Sequence, residues 1–219
     1  MKAHWHHGLY LVTHRGMLDE QKFLGIIDEA IAGGVAIVQL REKLVDPGTS
    51  YKTGKALKEM LKARNIPLIV NDSIELAKAI HADGVHLGQS DAPIEQARRE
   101  LGENAILGLS LNTIDDAQAP EAHSADYLAA SPVFPSSTKL DTTEPLGLTG
   151  LRTLRKHISQ EKPLFAIGGI DEGNAQAVLD AGASGLAVIS AIFTSKTPQA
   201  TAKRLSTIID QYHANNKTL

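Results

Sequence analysis

The 219 residues, 42% apolar and 21% charged, are enough for one large domain and too apolar for a disordered chain. A net charge of -3 argues against a nucleic-acid binder, and the absence of cysteine excludes disulfides, a thiol nucleophile and thiolate metal sites. No apolar run approaches the roughly 20 residues of a membrane span, and residues 1–8 do not read as a signal peptide, so a cytoplasmic protein is expected.

Short β-branched runs alternate with stretches of helical period. Residues 9–13 read as a first strand, and 20–32 as a helix with Phe23, Leu24, Ile27 and Ile31 on one face. Gly33-Gly34 ends that helix, and 35–40 is a second strand. A helix over 50–64 turns Leu57, Met60 and Leu61 to one side before Pro67 leads into strand 68–70. Helix 74–80, strand 84–87, a helix opened by Pro93 and strand 105–109 follow. The pattern continues with helix 114–122, strand 127–130, a polar segment over 131–148 and helix 149–157. Strand 164–167, helix 174–181, strand 185–189 and helix 198–213 complete it. Residues 1–8 are expected to form a short arm and 216–219 to fray. Eight strand–helix units with no composition break predict a single-domain α/β chain, a (β/α)₈ TIM barrel. A doubly wound open sheet is the alternative, but His14-Arg15-Gly16 after the first strand lacks its glycine-rich fingerprint.

In a barrel the chemistry lies where strands end. The second strand ends in Gln39, Arg41 and Lys43 at alternate positions, which share one face. Buried cations need anionic partners, so this set suits phosphate or pyrophosphate better than a solvated edge strand. Asp72 and Asp91 follow neighbouring strands. They read either as salt-bridge partners of Arg41 and Lys43 or as a magnesium site, since Mg²⁺ is typically held by one or two carboxylates, waters and phosphate oxygens. Ser136-Ser137-Thr138-Lys139 lines up donors in a loop, or is only a polar loop. Gly168-Gly169 before a helix, with Ser190 after the last strand, is a candidate phosphate site or only a turn. His81 and His86 read as capping or packed. His4, His6 and His7 read as part of a loose arm anchored by Trp5, the only tryptophan. Ser110 lacks a nucleophile-elbow pattern and reads as a hydrogen-bonding group.

The segments Gln39-Leu40-Arg41-Glu42-Lys43, Asn71-Asp72, Gly84-Val85-His86-Leu87-Gly88-Gln89 with Asp91, and Gly108-Leu109-Ser110 together resemble the thiamine-phosphate synthase family. So do Pro132-Val133-Phe134-Pro135 with Thr138-Lys139, Ala166-Ile167-Gly168-Gly169-Ile170, and Val188-Ile189-Ser190-Ala191-Ile192. The resemblance implies a (β/α)₈ barrel that joins a hydroxymethylpyrimidine diphosphate to a thiazole phosphate with loss of pyrophosphate, using Mg²⁺. It implies Gln39, Arg41, Lys43, Asn71, Ser110 and Lys139 on the pyrimidine diphosphate, with Arg41, Lys43 and Lys139 acting on the leaving group. It implies Asp72 and Asp91 on the metal, and Ser136, Ser137, Thr138, Gly169, Ile189 and Ser190 on the thiazole phosphate. Two departures stand out: Ser136-Ser137 where Thr-x is common, and His14 where an acidic residue often closes the first strand. The partners expected are these two small molecules, with neither nucleic acid nor membrane; a homo-oligomer is left open. The rivals are a tautomerase-like isomerase on the same fold and a non-catalytic barrel that binds phosphorylated ligands; neither needs Asp72, Asp91 and Lys139 together.

Overall fold

The computed structural model describes residues 5–43, 45–135 and 144–216. Eight parallel strands close into a barrel in chain order, with β8 pairing back onto β1. They are β1 (Leu9–Val12), β2 (Val35–Leu40), β3 (Leu68–Asn71), β4 (Gly84–Leu87), β5 (Ile106–Leu111), β6 (Tyr127–Ala130), β7 (Leu164–Ile167) and β8 (Gly185–Val188). Between them run α1 (Glu20–Ala32), α2 (Pro47–Lys62), α3 (Ile74–Ile80), α4 (Ile94–Leu101), α5 (Ile114–Gln118), α6 (Pro120–Ser124), α7 (Gly147–Lys156) and α8 (Ala175–Asp180). After β8 come α9 (Ser190–Phe193) and α10 (Pro198–Asn216). The expected (β/α)₈ barrel is therefore observed.

Two apolar layers hold it. Strand residues that face outward, such as Leu11, Val38, Val70 and Leu186, pack under helix residues such as Phe23, Ile27, Leu57 and Leu205. Inside the barrel, Tyr10, Ile37, Ile69, Tyr127 and Phe165 fill the lumen with Val12, Ile167 and Ala187. The interior is a packed core rather than a pore. The lower rim is fastened by side chains that precede even-numbered strands and cap their neighbours. Asp83 accepts from Leu68 N at 2.7 Å, Asp126 from Leu107 N at 2.8 Å and Ser184 from Leu164 N at 3.1 Å. Lys58 and Arg98 pair with these two aspartates at 2.6 and 2.9 Å. These acids thus work for the fold, at the end of the barrel away from the chemistry. Among the described residues no helix is long and apolar enough to cross a membrane.

Several bounds differ from expectation for identifiable reasons. α2 begins at Pro47, not 50, because Asp46 caps it by accepting from Thr49 N at 3.0 Å and proline suits the first turn. The helix expected over 114–122 is broken in two at Ala119, because Pro120 cannot continue the ladder of hydrogen bonds. β5 runs on to Leu111, with Ser110 and Leu111 opposite Ala129 and Ala130. Asp115 and Asp116 then open α5, where Thr113 and Asp116 form a reciprocal cap. Residues 5–7 are not a loose arm. They form a 3-10 turn, Trp5–His7, whose indole is buried edge-on against Tyr127 with ring centroids 5.8 Å apart. His4 lies outside the described residues.

Candidate active site

A cavity of about 780 Å³ opens at the C-terminal ends of the strands. The β2 loop contributes Arg41 and Lys43, the end of β3 Asn71 and Asp72, and the loop after β4 Asp91. Ser110 comes from β5, Gly168 and Gly169 from the β7 loop, and Ile189 and Ser190 from the end of β8. Residues separated by up to 149 positions (41 to 190) in the 219-residue chain are thus brought to one wall system by strand order alone. Ser136, Ser137, Thr138 and Lys139 lie outside the described residues.

Gln39 is the exception among the described candidates. It is 4% exposed and does not line the cavity. Its amide Nε2 donates instead to the buried Tyr10 hydroxyl at 2.9 Å. The alternation that put Gln39 on the same face as Arg41 and Lys43 holds, but one pleat lower that face is the filled lumen. Gln39 thus sits one layer below the wall, bound to Tyr10, directly beneath the cavity that Arg41 and Lys43 line.

The rest of the β2 loop divides its charges. Arg41 is half-buried, with its backbone N–H on Thr13 Oγ1 at 2.9 Å and its Nε buried without a hydrogen-bond partner among the described residues. Lys43 Nζ stands 3.6 Å from Asp72 Oδ2, a loose pair between half-exposed groups. The salt-bridge reading of the carboxylates is therefore met only by this one long contact among the described ion pairs. Glu42 turns the other way. Its side chain is 2% exposed and meets Arg15 Nε at 2.5 Å, while Arg15 also donates to Thr53 Oγ1 at 2.6 Å and covers the Phe23 ring. This pair pins the base of the cationic loop. Breaking one member of a buried ion pair leaves the other charge uncompensated, at a cost of about 3 kcal/mol. Glu42→Leu should lower unfolding stability by that order in urea melts. Arg15→Met added to it should recover most of the loss; a double variant as weak as the sum of the singles would refute the pairing.

Asp72 sits in the left-handed region at φ 63°, a conformation that Asp and Asn tolerate better than most residues. Its backbone N–H donates to His86 O at 2.9 Å, which fixes the carboxylate's direction. Burial raises the Asp72 carboxyl above the usual range, and the neighbouring Asp91 charge and a hydrogen bond with Asp91 add to the shift; Lys43 offsets part of it. Asp91 Oδ2 accepts from Gly88 N at 2.7 Å. Two adjacent carboxylates beside Asn71 form a hard oxygen donor set. Among the described residues no group of three or more His, Cys, Asp or Glu side chains is poised for metal. The pair suits a cation that keeps waters and takes substrate oxygens, as Mg²⁺ does, and would suit a site closed by protein ligands poorly.

The glycines after β7 serve the turn. Gly168 and Gly169 have φ of 105° and 62°. A Cβ at Gly169 would come within 2.7 Å of Pro135 O and 2.8 Å of Phe134 Cβ. It would strike the β6 loop, so the turn itself demands glycine here, at a position that also lines the cavity. Asn174 braces the turn, accepting from Asp171 N at 3.0 Å and donating to Gly169 O at 2.8 Å. Gly169→Ala should therefore cost at least about 1 kcal/mol through the positive φ alone. It should also displace the segment that leads into residue 136. The expected readout is a lower Tm together with a higher KM for the substrate held by that loop; an unchanged Tm would contradict it.

Further residues line the wall beyond the assigned candidates. Asn112 shares the cavity with Ser110 because β5 is longer than expected, and alternation from Ser110 would have found it. Gln89 lines the wall and donates through Nε2 to Ser110 O at 2.6 Å. Ser131, directly after β6, and Ile170, in the segment that follows Gly168-Gly169, also line it.

Known proteins resemble this chain in sequence and in fold. The family model described as thiamine monophosphate synthase matches residues 9–192. The chain is 42% identical over 200 residues to the thiamine-phosphate synthase of Clostridium novyi, covering 91% of this chain and 97% of that one. It is 45% identical over 202 residues to the thiamine-phosphate synthase of Albidiferax ferrireducens, covering 92% and 91%. Among solved structures, thiamine phosphate pyrophosphorylase from Pyrococcus furiosus matches with a TM-score of 0.83 and 34% identity, over 95% of this chain and 98% of that one. A 3-hexulose-6-phosphate synthase from Salmonella typhimurium, 17% identical with a TM-score of 0.71, shares the fold alone. With a family model spanning both the barrel and its strand-end cavity, the chain belongs to the thiamine monophosphate synthase family.

Proposed function

We propose that the chain catalyses the thiamine-phosphate synthase reaction of thiamine biosynthesis, joining a hydroxymethylpyrimidine diphosphate to a thiazole phosphate and releasing pyrophosphate. The observation that carries this reading is the meeting of unlike charges in one cavity: Arg41 and Lys43 face Asp72 and Asp91, with Lys43 only loosely tied at 3.6 Å. A tautomerase has no use for that combination. The bond between the pyrimidine methylene carbon and the diphosphate oxygen breaks, and its electron pair leaves with pyrophosphate. The thiazole nitrogen's lone pair closes the new carbon–nitrogen bond, so no proton is gained or lost and no protein base is required. Arg41 and Lys43 would meet the charge that grows on the departing oxygens, where fixed charges act most strongly. Lys139 would join them. Asp72 and Asp91 would hold Mg²⁺, which when bound adds positive charge at the leaving group. Asn71 and Ser110 would orient the pyrimidine diphosphate, and the β7 and β8 ends with Ser136, Ser137 and Thr138 would hold the thiazole phosphate. Holding both reactants in one cavity supplies several kcal/mol of barrier reduction by positioning. The test is incubation of the purified chain with both substrates and Mg²⁺. Thiamine phosphate should form, and its absence with a folded chain would overturn the assignment.

A further inference from the structure

The order Arg41-Glu42-Lys43 sets a carboxylate between two cations that line the cavity. Neighbouring residues of an extended segment face opposite ways. A turn of this loop by one residue would therefore bring Glu42 into the cavity and take Arg41 and Lys43 out of it. β1 and the loop after it supply two contacts that choose the face. Where β1 and β2 part, Thr13 N donates to Gln39 O at 2.9 Å, and Arg41 N donates to the Thr13 hydroxyl oxygen at 2.9 Å. A buried side chain thus holds the first residue beyond β2. Farther along the same loop, Arg15 Nε meets Glu42 Oε1 at 2.5 Å. Arg15 is itself braced, donating to Thr53 Oγ1 of α2 at 2.6 Å and lying 4.7 Å from the centre of the Phe23 ring of α1. Among the described residues, Thr13, Arg15 and Glu42 all stand outside the lining of the cavity. The Glu42 side chain is 2% exposed, and among the described ion pairs Arg15 is its only counter-charge.

We propose that Arg15 is a positioning residue that holds the Glu42 carboxylate away from the cavity and so keeps Arg41 open to a diphosphate. Arg15 acts through Glu42 and does not touch the ligand. Without it the carboxylate would be left buried and uncompensated, which is a costly state. Turning the loop relieves that state and gives up little more than the Arg41 N–H bond to Thr13. Among the described residues Arg41 Nε is buried without a hydrogen-bond partner, so a released carboxylate would find a charged donor there. The pair so formed would cancel the charge that a diphosphate needs.

The loop's choice of face belongs to the protein alone; its effect on a diphosphate rests on the function proposed above, and the two parts are tested separately. Amide hydrogen exchange in the ligand-free chain, read by NMR, follows the Arg41 N–H that Thr13 holds. Arg15→Met should speed its exchange about tenfold, while the Val38 N–H within β2 keeps its rate. Arg15→Gln should act in the same direction and serves if Arg15→Met does not fold. An unchanged Arg41 rate in both variants overturns the proposal whatever the enzyme's substrate. Titration of inorganic pyrophosphate without metal then tests the consequence. Arg15→Met should weaken binding about tenfold. Glu42→Leu added to it should bring the affinity back to within about twofold of the unaltered chain, because the interfering carboxylate is gone. A double variant as weak as Arg15→Met would show the pair to be a brace alone and overturn the proposal. In an Arg41→Met background, Arg15→Met should weaken binding little further. A further loss of the same size there would mean that Arg15 acts on the anion through its own charge, which also overturns it.

Discussion

Asp72→Asn should lower kcat by about a hundredfold or more while the barrel becomes no less stable. Asparagine keeps the shape and accepts φ 63°, which alanine does not, so the backbone that aims this side chain is preserved. What disappears is one of two adjacent negative charges. The loss of charge stabilisation at a leaving group typically costs about a hundredfold or more. The gain in stability follows from the raised carboxyl of Asp72, whose main causes are burial and then Asp91. A carboxyl whose folded value is raised favours the folded state while protonated. That contribution is present below the ordinary carboxylate range and is lost as pH rises through the folded value. Near neutral pH the ionised pair therefore burdens the free protein, and Asn removes the burden. Steady-state rates and chemical denaturation at neutral pH check both halves together. Retained activity in the variant, or full activity of the unaltered chain in a chelator, would remove Asp72 from the metal.

Arg41→Met should produce the second large effect, a fall in kcat of about a hundredfold with little loss of fold. Among the described residues Arg41 Nε is buried without a hydrogen-bond partner, an arrangement that costs the free protein and that a diphosphate would relieve. Methionine keeps much of the apolar stem and carries no charge. Groups that act on a developing charge depress kcat and kcat/KM alike, whereas uniform binding groups raise KM alone. A variant with normal kcat and only a raised KM for the pyrimidine diphosphate would assign Arg41 to ground-state binding. Lys43→Met provides a useful contrast. Its side chain is half-exposed and loosely paired to Asp72, so its removal should both weaken the leaving-group charge and leave Asp72 less compensated.

The barrel was legible because its signal is periodic and local. Bounds came out as expected where apolar runs stop abruptly, as in β4, β6 and β7, and at α3, where Ser73 caps by accepting from Leu76 N at 3.0 Å. They shifted where punctuation carries two meanings. Asp46-Pro47-Gly48 looks like a turn but starts α2, and Pro120 was absorbed into a helix that it divides. At the site, strand ends pointed to Arg41, Lys43, Asn71, Asp72, Asp91 and Ser110, all of which the strand order gathers around one cavity. Depth was harder to read than direction. Gln39 and Arg41 share a face, yet one lies in the lumen and the other at the rim, and period-two alternation has no term for height along the barrel. The hydrogen-bonded Tyr10–Tyr127–His86 series in the lumen was invisible for a related reason. Its members come from β1, β6 and β4, and each alone reads as an ordinary core residue. The Arg15–Glu42 pair was missed because Glu42 stands within a run of cations, and only the fold shows that it turns to Arg15, which in turn reaches Thr53 of α2.

That the cations and carboxylates of the cavity act as one site for a metal-bound diphosphate is tested most directly by calorimetric titration of inorganic pyrophosphate, with and without Mg²⁺. Each ligand should tighten the other by the same factor, since linkage between two bound ligands is reciprocal. That coupling should disappear in Asp72→Asn, while Arg41→Met should lose pyrophosphate affinity with and without metal. Beyond the pairing of Mg²⁺ with pyrophosphate in solution, for which the titration must be corrected, independent binding of the two to the unaltered chain would contradict the shared site.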